Sequence, residues 1–377
     1  TRNLPRDIAD QGIERNKQEA ARSFGQRNYS RANQRLSAVE MRTHCCVAHA
    51  NWQVNNQALS ALQRDPCMIR IETNIEECRR LWALFSPQQD AWDDWNVIFA
   101  FHDPDNHRFN FLVHENDDGQ PDGLVPLVED TKQNRFTTFG GSYPDGRILW
   151  LQYQTFPEFF EAFPEQTVLF DLRQSWVEGL LQLFPQFEAN FSEHDLRYYI
   201  VPSAFEFDFD KHLDTFSADK KQKFLYDLRN IRKREPRLHW GTENEADLFI
   251  ELVNRNFGAE SDYVDADNAN EVRRIISELE RSGRLKSLTI EIDGKRQAVA
   301  QTLFHGNKMV ALYAASNNDY NNLGKLLNVE SIQEACRLRA DEISFMTGMQ
   351  WKANWKMKGE PCVTMRKPPA PWPAPPG

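Results

Sequence analysis

Residues 309–325 read MVALYAASNNDYNNLGK. An apolar run, Met309 to Ala315, passes into a polar loop, and after Gly324 the apolar positions become Leu326, Val329, Ile332 and Cys336, the spacing of one helix face. Strand, loop and helix start in that order set the unpaired amides of a first helical turn, and the positive end of its dipole, beside the end of a strand. Such a corner suits a phosphate or pyrophosphate. Gly324 lets a ligand approach the backbone closely, and Lys325 adds a charge. A glycine before a helix is also an ordinary turn, so the reading depends on what surrounds it.

Upstream, Leu288, Ile290 and Ile292 alternate as in a half-buried strand, Asp293-Gly294 turns the chain, and Ala298 to Phe304 returns as a hairpin partner. His305-Gly306-Asn307 then joins it to the strand at Met309. Two helices are expected before this hairpin, at Glu245 to Phe257 with Leu248, Phe249, Leu252 and Val253 inward, and at Asn270 to Ser282 with Val272, Ile275, Ile276 and Leu279 inward. A basic helical stretch, Ser217 to Arg234, precedes them; it reads as a solvated face or as one edge of a ligand cleft.

The first half follows a similar plan. Ile69 and Ile71 alternate, and Ile75, Cys78, Leu81, Trp82 and Phe85 recur at helical spacing until Ser86-Pro87 stops them. Strands are expected at Val97 to Phe101, Phe109 to His114, Leu124 to Val128, Phe136 to Phe139 and Ile148 to Tyr153, a helix at Asp171 to Leu183, and a closing strand at Tyr198 to Val201. The hairpin around Asp118-Gly119 matches the one around Asp293-Gly294 at a spacing of one domain length. The fold class expected is α+β: two related domains in tandem, 66–202 and 203–367 with a boundary near Pro202, each a mixed twisted sheet flanked by helices. A polar extension, 1–65, precedes them, and a Pro-rich tail, 368–377, follows.

Composition fits two cores. The chain has 377 residues, 40% of them hydrophobic, with 25 Phe and 10 Trp, which is ample to fill two domains and argues against a disordered protein. No apolar run approaches the ~20 residues of a membrane-spanning helix, and the polar first 40 residues resemble no targeting segment. A net charge of −10 argues against whole-surface attraction to nucleic acid or anionic membrane. The six cysteines show no disulfide framework, so a reducing, cytoplasmic setting is expected. His44-Cys45-Cys46-Val47-Ala48-His49 has metal-ligand residue types, but adjacent cysteines rarely share one ion and no second pair follows, so no metal is expected.

Over 205–367 the chain resembles the GNAT-like acetyltransferases of polysaccharide biosynthesis, related to the FemAB aminoacyl transferases. The resemblance rests on Asp227 to Arg234, the strand pair around Asp293-Gly294, Tyr313 with Tyr320, the loop Asn322-Leu323-Gly324-Lys325-Leu326-Leu327, and Gly348 to Trp355. A fainter match in the first half uses Trp95, Gly123 to Leu127 and Phe139-Gly140-Gly141. It implies two tandem GNAT-like domains and an acyl-CoA-dependent N-acyltransferase acting on an amine of a sugar, peptide or lipid precursor, with aminoacyl-tRNA as the second donor class. Acetyl-CoA or a longer acyl-CoA would be the co-substrate, its pyrophosphate on Asn322, Leu323, Gly324 and Lys325 and its carbonyl near the amides of Ala314 or Ala315. Tyr313 and Tyr320 would be candidates to protonate the leaving thiolate, with Lys352 as a third catalytic candidate. Where the family carries acidic residues this chain has Ser344, Thr347, Met349, Gln350 and Trp351, while Gly348, Lys352 and Trp355 remain. That departure opens an alternative: a degenerate fold serving as a scaffold or assembly subunit, with residues 1–65 and the Pro-rich tail as contacts for a protein partner.

Overall fold

A computed structural model describes residues 69–368. The extension, with its His44 to His49 segment, and nearly all of the Pro-rich tail lie outside the described residues. The elements that build the first half are strands β1 (Ile69–Glu72), β2 (His107–Glu115), β3 (Pro121–Asp130), β4 (Arg135–Thr138), β5 (Thr167–Arg173) and β6 (Phe191–Ile200), with helices α1 (Ile75–Phe85), α2 (Trp95–Phe99), α3 (Phe156–Ala162) and α4 (Gln174–Leu183). The second half comprises α5 (Phe209–Leu213), α6 (Ala218–Arg232), β7 (Arg237–Gly241), α7 (Ala246–Phe257), α8 (Ala266–Arg281), β8 (Leu285–Ile292), β9 (Lys295–His305), β10 (Lys308–Ser316), α9 (Leu323–Arg337), β11 (Glu342–Thr347) and β12 (Lys358–Arg366).

All twelve strands join one mixed sheet in the order β1-β2-β3-β4-β5-β12-β6-β11-β10-β9-β8-β7. Each half supplies an antiparallel run, β1 to β4 and β7 to β10, that continues into a parallel neighbour, β5 or β11. The fold is thus α+β, two similarly built halves sharing one mixed sheet. Between them the strands interleave: β12, last in the chain, lies between β5 and β6, and β6 lies between β12 and β11. The chain leaves β6 through a short 3-10 turn at Pro202–Phe205.

Helices cover both faces in the pattern their apolar stripes dictate. One buried cluster takes Leu81 and Trp82 of α1 and Ile98 of α2 together with Leu252 of α7, Ile275 and Ile276 of α8 and Tyr313 of β10, so it spans both halves. A second packs Phe224 and Leu228 of α6 against Leu326 and Ile332 of α9 over Leu288 and Ile343. A third holds Phe156 and Phe159 of α3 with Leu180 of α4 over Leu169 and Leu172. Each fully buried large side chain contributes ~1.5–3 kcal/mol of transfer free energy.

Several expectations need correction. Val97 to Phe101 is not a strand: Asp94 accepts the amide of Asn96 at 2.8 Å and starts α2. The helix is only five residues long, with Val97 and Ile98 buried, and an apolar run of that length does not separate helix from strand. Ile148 to Tyr153 is no strand either; the segment around it makes only isolated bridges, Arg147 with Leu172 and Trp150 with Leu124. Asp171 belongs to β5, and the helix begins at Gln174. The strands β5, β7, β11 and β12 are additions to the sequence reading. The hairpin turns are as read: Asp293 and Gly294 both take positive φ, 55° and 73°, the conformation a two-residue turn needs.

Candidate functional site

Parallel strands β10 and β11 pair at only three positions, Lys308 with Glu342, Met309 with Ile343 and Val310 with Ser344, and then part. Both are irregular where they separate. On β10 the register with β9 slips between Ala311 and Tyr313, and on β11 the register with β6 slips between Ser344 and Thr347. A bulge re-aims the strand and ends the ladder, which leaves backbone groups of Ala311 to Ser316 facing an open gap. Ala314 is exposed and Ala315 buried there.

At the outer end of the gap the loop from Asn317 to Asn322 is tied down by side chains. Asn317 is buried and its amide side chain donates to Gln297 Oε1 at 2.9 Å; Asn256 donates to the Ser316 carbonyl at 2.8 Å and accepts from the Asn318 amide at 3.2 Å. Asn322 takes φ 70° and begins α9 without a side-chain cap. The Leu323 amide reaches Tyr320 O and the Leu326 amide reaches Asn322 O. Those of Gly324 and Lys325 have no partner among the described residues. A Cβ on Gly324 would stand 3.1 Å from Ser316 Oγ, so the missing side chain lets the helix start against the strand end. The Lys325 ammonium is bonded to the Asp227 carboxylate and lies 5.2 Å from the Phe224 ring. Its charge is largely spent on α6, contrary to the expectation that it adds to the loop. Beside the loop, Tyr226, Asp227, Asn230 and Arg234 of α6 and Asp319 to Asn322 line a cavity of about 470 Å³. The basic helix is therefore one wall of a cleft.

The two tyrosines expected to act together are separated. Tyr313 is buried in the cluster under α7 and α8, its ring 5.2 Å from that of Phe249, and its hydroxyl donates to Tyr143 Oη at 3.3 Å. Burial pushes both phenols above the usual range, so both are held protonated. Tyr320 packs instead against the cluster of α6 and α9, with its hydroxyl 3.4 Å from Asp293 Oδ2.

Lys352, the third catalytic candidate, is buried. It sits in a 3-10 turn, Gln350–Trp355, with 5% of its surface exposed, and donates to the carbonyls of Thr347 at 2.8 Å and Met346 at 3.3 Å. Burial lowers its pKa to about 8, opposed by the charges of Asp195 and Asp145. Asp145 is a residue that sequence reasoning did not single out. It comes from the first half and accepts from Ser344 Oγ at 2.6 Å, Arg197 Nε at 2.7 Å and Trp92 Nε1 at 2.8 Å. A carboxylate thus meets β11 at Ser344, from a position 199 residues away in the chain. Burial works against the charge of Arg197, but Asp145 and Glu342 outweigh it and hold its pKa up.

Comparisons with known proteins bear on the fold. The family model described as an acetyltransferase (GNAT) domain matches residues 218–357. No curated protein matches the sequence. Among solved structures, FemX is similar at 11% identity with a TM-score of 0.50, over 78% of this chain and 96% of its own. A conserved protein of unknown function from Bacteroides thetaiotaomicron VPI-5482 is similar at 12% identity and TM-score 0.49, over 80% of this chain and 100% of its own. A tandem GNAT protein from the clavulanic acid biosynthesis pathway is similar at 8% identity and TM-score 0.45, over 79% and 97%. Identity this low speaks to fold alone. Residues 218–357 thus match the acetyltransferase (GNAT) domain family, and the chain shares its fold with FemX.

Proposed function

We propose that the chain is an acyl-CoA-dependent N-acyltransferase whose donor lies in the gap between β10 and β11. The observation that carries this reading is the gap itself, with the uncapped start of α9 at its outer end: free amides at Gly324 and Lys325 suit a pyrophosphate, and unpaired backbone along Ala311 to Ser316 suits a thioester arm. In the reaction an acceptor amine attacks the thioester carbonyl, the C–N bond forms, the C–S bond breaks, and the amine loses a proton. An amide of Ala314 or Ala315 would hold the oxyanion. Tyr313, kept protonated and paired with Tyr143, would give its proton to the departing thiolate. Lys352, about a tenth neutral at pH 7 on a pKa of about 8, is the group to receive the amine's proton. Tyr320, on the α6 side, would line the donor cleft. An amine of a sugar, peptide or lipid precursor is the acceptor class.

Thermal denaturation with and without acetyl-CoA, and with longer acyl-CoAs, tests the reading. Donor at 100 times its Kd should stabilise the chain by about 2.7 kcal/mol. Gly324→Leu, which drives a side chain into Ser316, should remove that stabilisation without changing the unliganded midpoint by more than a few degrees. If no acyl-CoA stabilises the protein while a charged tRNA does, the donor is aminoacyl-tRNA. If neither does, the scaffold alternative stands.

A further inference from the structure

Helix α6 carries more positive charge than a cleft wall uses. Its inner side, Phe224, Leu228 and Ile231, is buried against α9. At the ~100° per residue of an α-helix, Gln222, Tyr226, Arg229 and Lys233 fall opposite that side, and all four are exposed, with exposed Lys223 beside them. The nearby acids are engaged: Asp214 with Lys221, Asp227 with Lys325, and Glu330 with Arg232 at 3.5 Å. Lys223, Arg229 and Arg234 have no carboxylate partner among the described residues, and Lys233 reaches only Asn230 Oδ1 at 3.4 Å. Against these cations stand Asp219 and Glu235. A chain of net charge −10 thus holds one local surface of the opposite sign.

An apolar anchor adjoins the start of the same helix. Trp355 of the turn Gln350–Trp355 packs on Phe224 of α6 with ring centroids 5.1 Å apart, and Lys220 bonds to the Asn354 carbonyl. Burial, and then the charge of Lys356 nearby, lowers the pKa of Lys220. The same loop holds out Met349, 70% exposed, and Trp351, 37% exposed, the indole N–H donating to the Met349 sulfur at 3.3 Å. On α6 itself a groove of about 240 Å³ has Leu225 and Leu228 for its floor and Arg229 and Arg232 at its rim. Exposed indole and thioether beside cations match the layers of an anionic bilayer: the indole sits at headgroup depth, apolar side chains reach the acyl boundary, and Lys and Arg meet the phosphates. Nucleic acid would use the charge, but it binds single strands by stacking bases on a ladder of rings, and α6 exposes one, Tyr226. The apolar groove and Met349 offer a phosphate backbone nothing.

We propose that the outer face of α6 and the loop carrying Met349 and Trp351 dock the chain on an anionic lipid bilayer, cations on the headgroups and the two apolar side chains in the interface. The docking is independent of acyl transfer and is measured without a donor. Co-sedimentation of the whole chain with vesicles at ~0.15 M ionic strength tests it, using phosphatidylcholine alone and phosphatidylcholine with about 30% phosphatidylglycerol. The chain should bind the mixed vesicles and leave the neutral ones. Arg229→Gln combined with Lys233→Gln should weaken binding roughly twentyfold with the far-UV spectrum unchanged. Trp351→Ala should weaken it severalfold, and Met349→Ser serves in its place should that variant disturb the turn. Acyl-brominated lipid should quench tryptophan emission in the wild type and less in Trp351→Ala. Absence of binding to the mixed vesicles, equal binding to neutral ones, undiminished binding of the double variant, or the same quenching in Trp351→Ala would each overturn the proposal. Uncharged transfer RNA that binds this face while the vesicles do not would assign it to nucleic acid instead.

Discussion

A lysine 5% exposed, whose ammonium donates to two main-chain carbonyls, is an energetic liability that the fold tolerates at Lys352. The folded chain releases this proton near pH 8, against 10.5 for an ordinary lysine, so between those values the unfolded chain holds more protons. Stability from this group therefore rises with pH across that window and is lowest below pH 8, by on the order of 2–3 kcal/mol. Urea denaturation between pH 7 and 10, before Tyr143 and Tyr313 titrate, should show that rise in the wild type and a flatter profile in Lys352→Met. NMR of isotopically dimethylated lysines should find one resonance titrating near pH 8. Asp145 is the contrasting case, a buried carboxyl that accepts three side-chain hydrogen bonds. Asp145→Asn should cost on the order of 1–3 kcal/mol, because an amide there cannot accept from all of Arg197, Ser344 and Trp92, although Arg197 keeps Glu342 and Glu360; a midpoint within measurement error of wild type would refute that role. The sequence singled out Lys352 by family position but carried no sign of its burial. Asp145 had no signal, since a carboxylate beside a glycine reads as a turn.

At the level of elements, the start of α9 is set by Asn322 in the left-handed region at φ 70°. Asparagine tolerates that region better than other residues with a side chain, and glycine better still. Asn322→Gly should leave stability within about 0.5 kcal/mol, while Asn322→Val should cost ~1–2 kcal/mol, both measured by chemical denaturation. The strand, loop and helix of 309–337 were legible because apolar period and turn residues coincide there. The helix at Trp95–Phe99 was not, because five residues are too few to show the period that would distinguish it from a strand. Nor was the parting of β10 from β11 legible, since a bulge leaves no compositional mark.

Across the whole molecule, β12 is the strand that locks the halves. Cys362 and Met365, both fully buried, stand on it between β5 and β6, and Arg197 of β6 reaches Glu342 on β11 and Glu360 on β12. Ending the chain at residue 357 would expose two facing strand edges and uncover the core around Met365. Such a truncation should lose cooperative unfolding in both halves and become protease-sensitive before β6, whereas removal of 369–377 should not; limited proteolysis with mass mapping checks this. Among the described residues, no helix is long and apolar enough to cross a membrane.

By itself the sequence determined the two hairpins, the amphipathic helices and the loop before Gly324, because these depend on the local period and on residues with special backbone freedom. Tertiary structure decided the rest. Interleaving β12 with β5 and β6, bringing Asp145 to Ser344, placing Tyr313 and Tyr320 in different cores, and bridging Arg147 to Leu172 and Trp150 to Leu124 all depend on contacts between positions far apart in the chain. Pairing across such distances is fixed by the total burial and charge balance of the folded chain, and no short window of residues contains that sum.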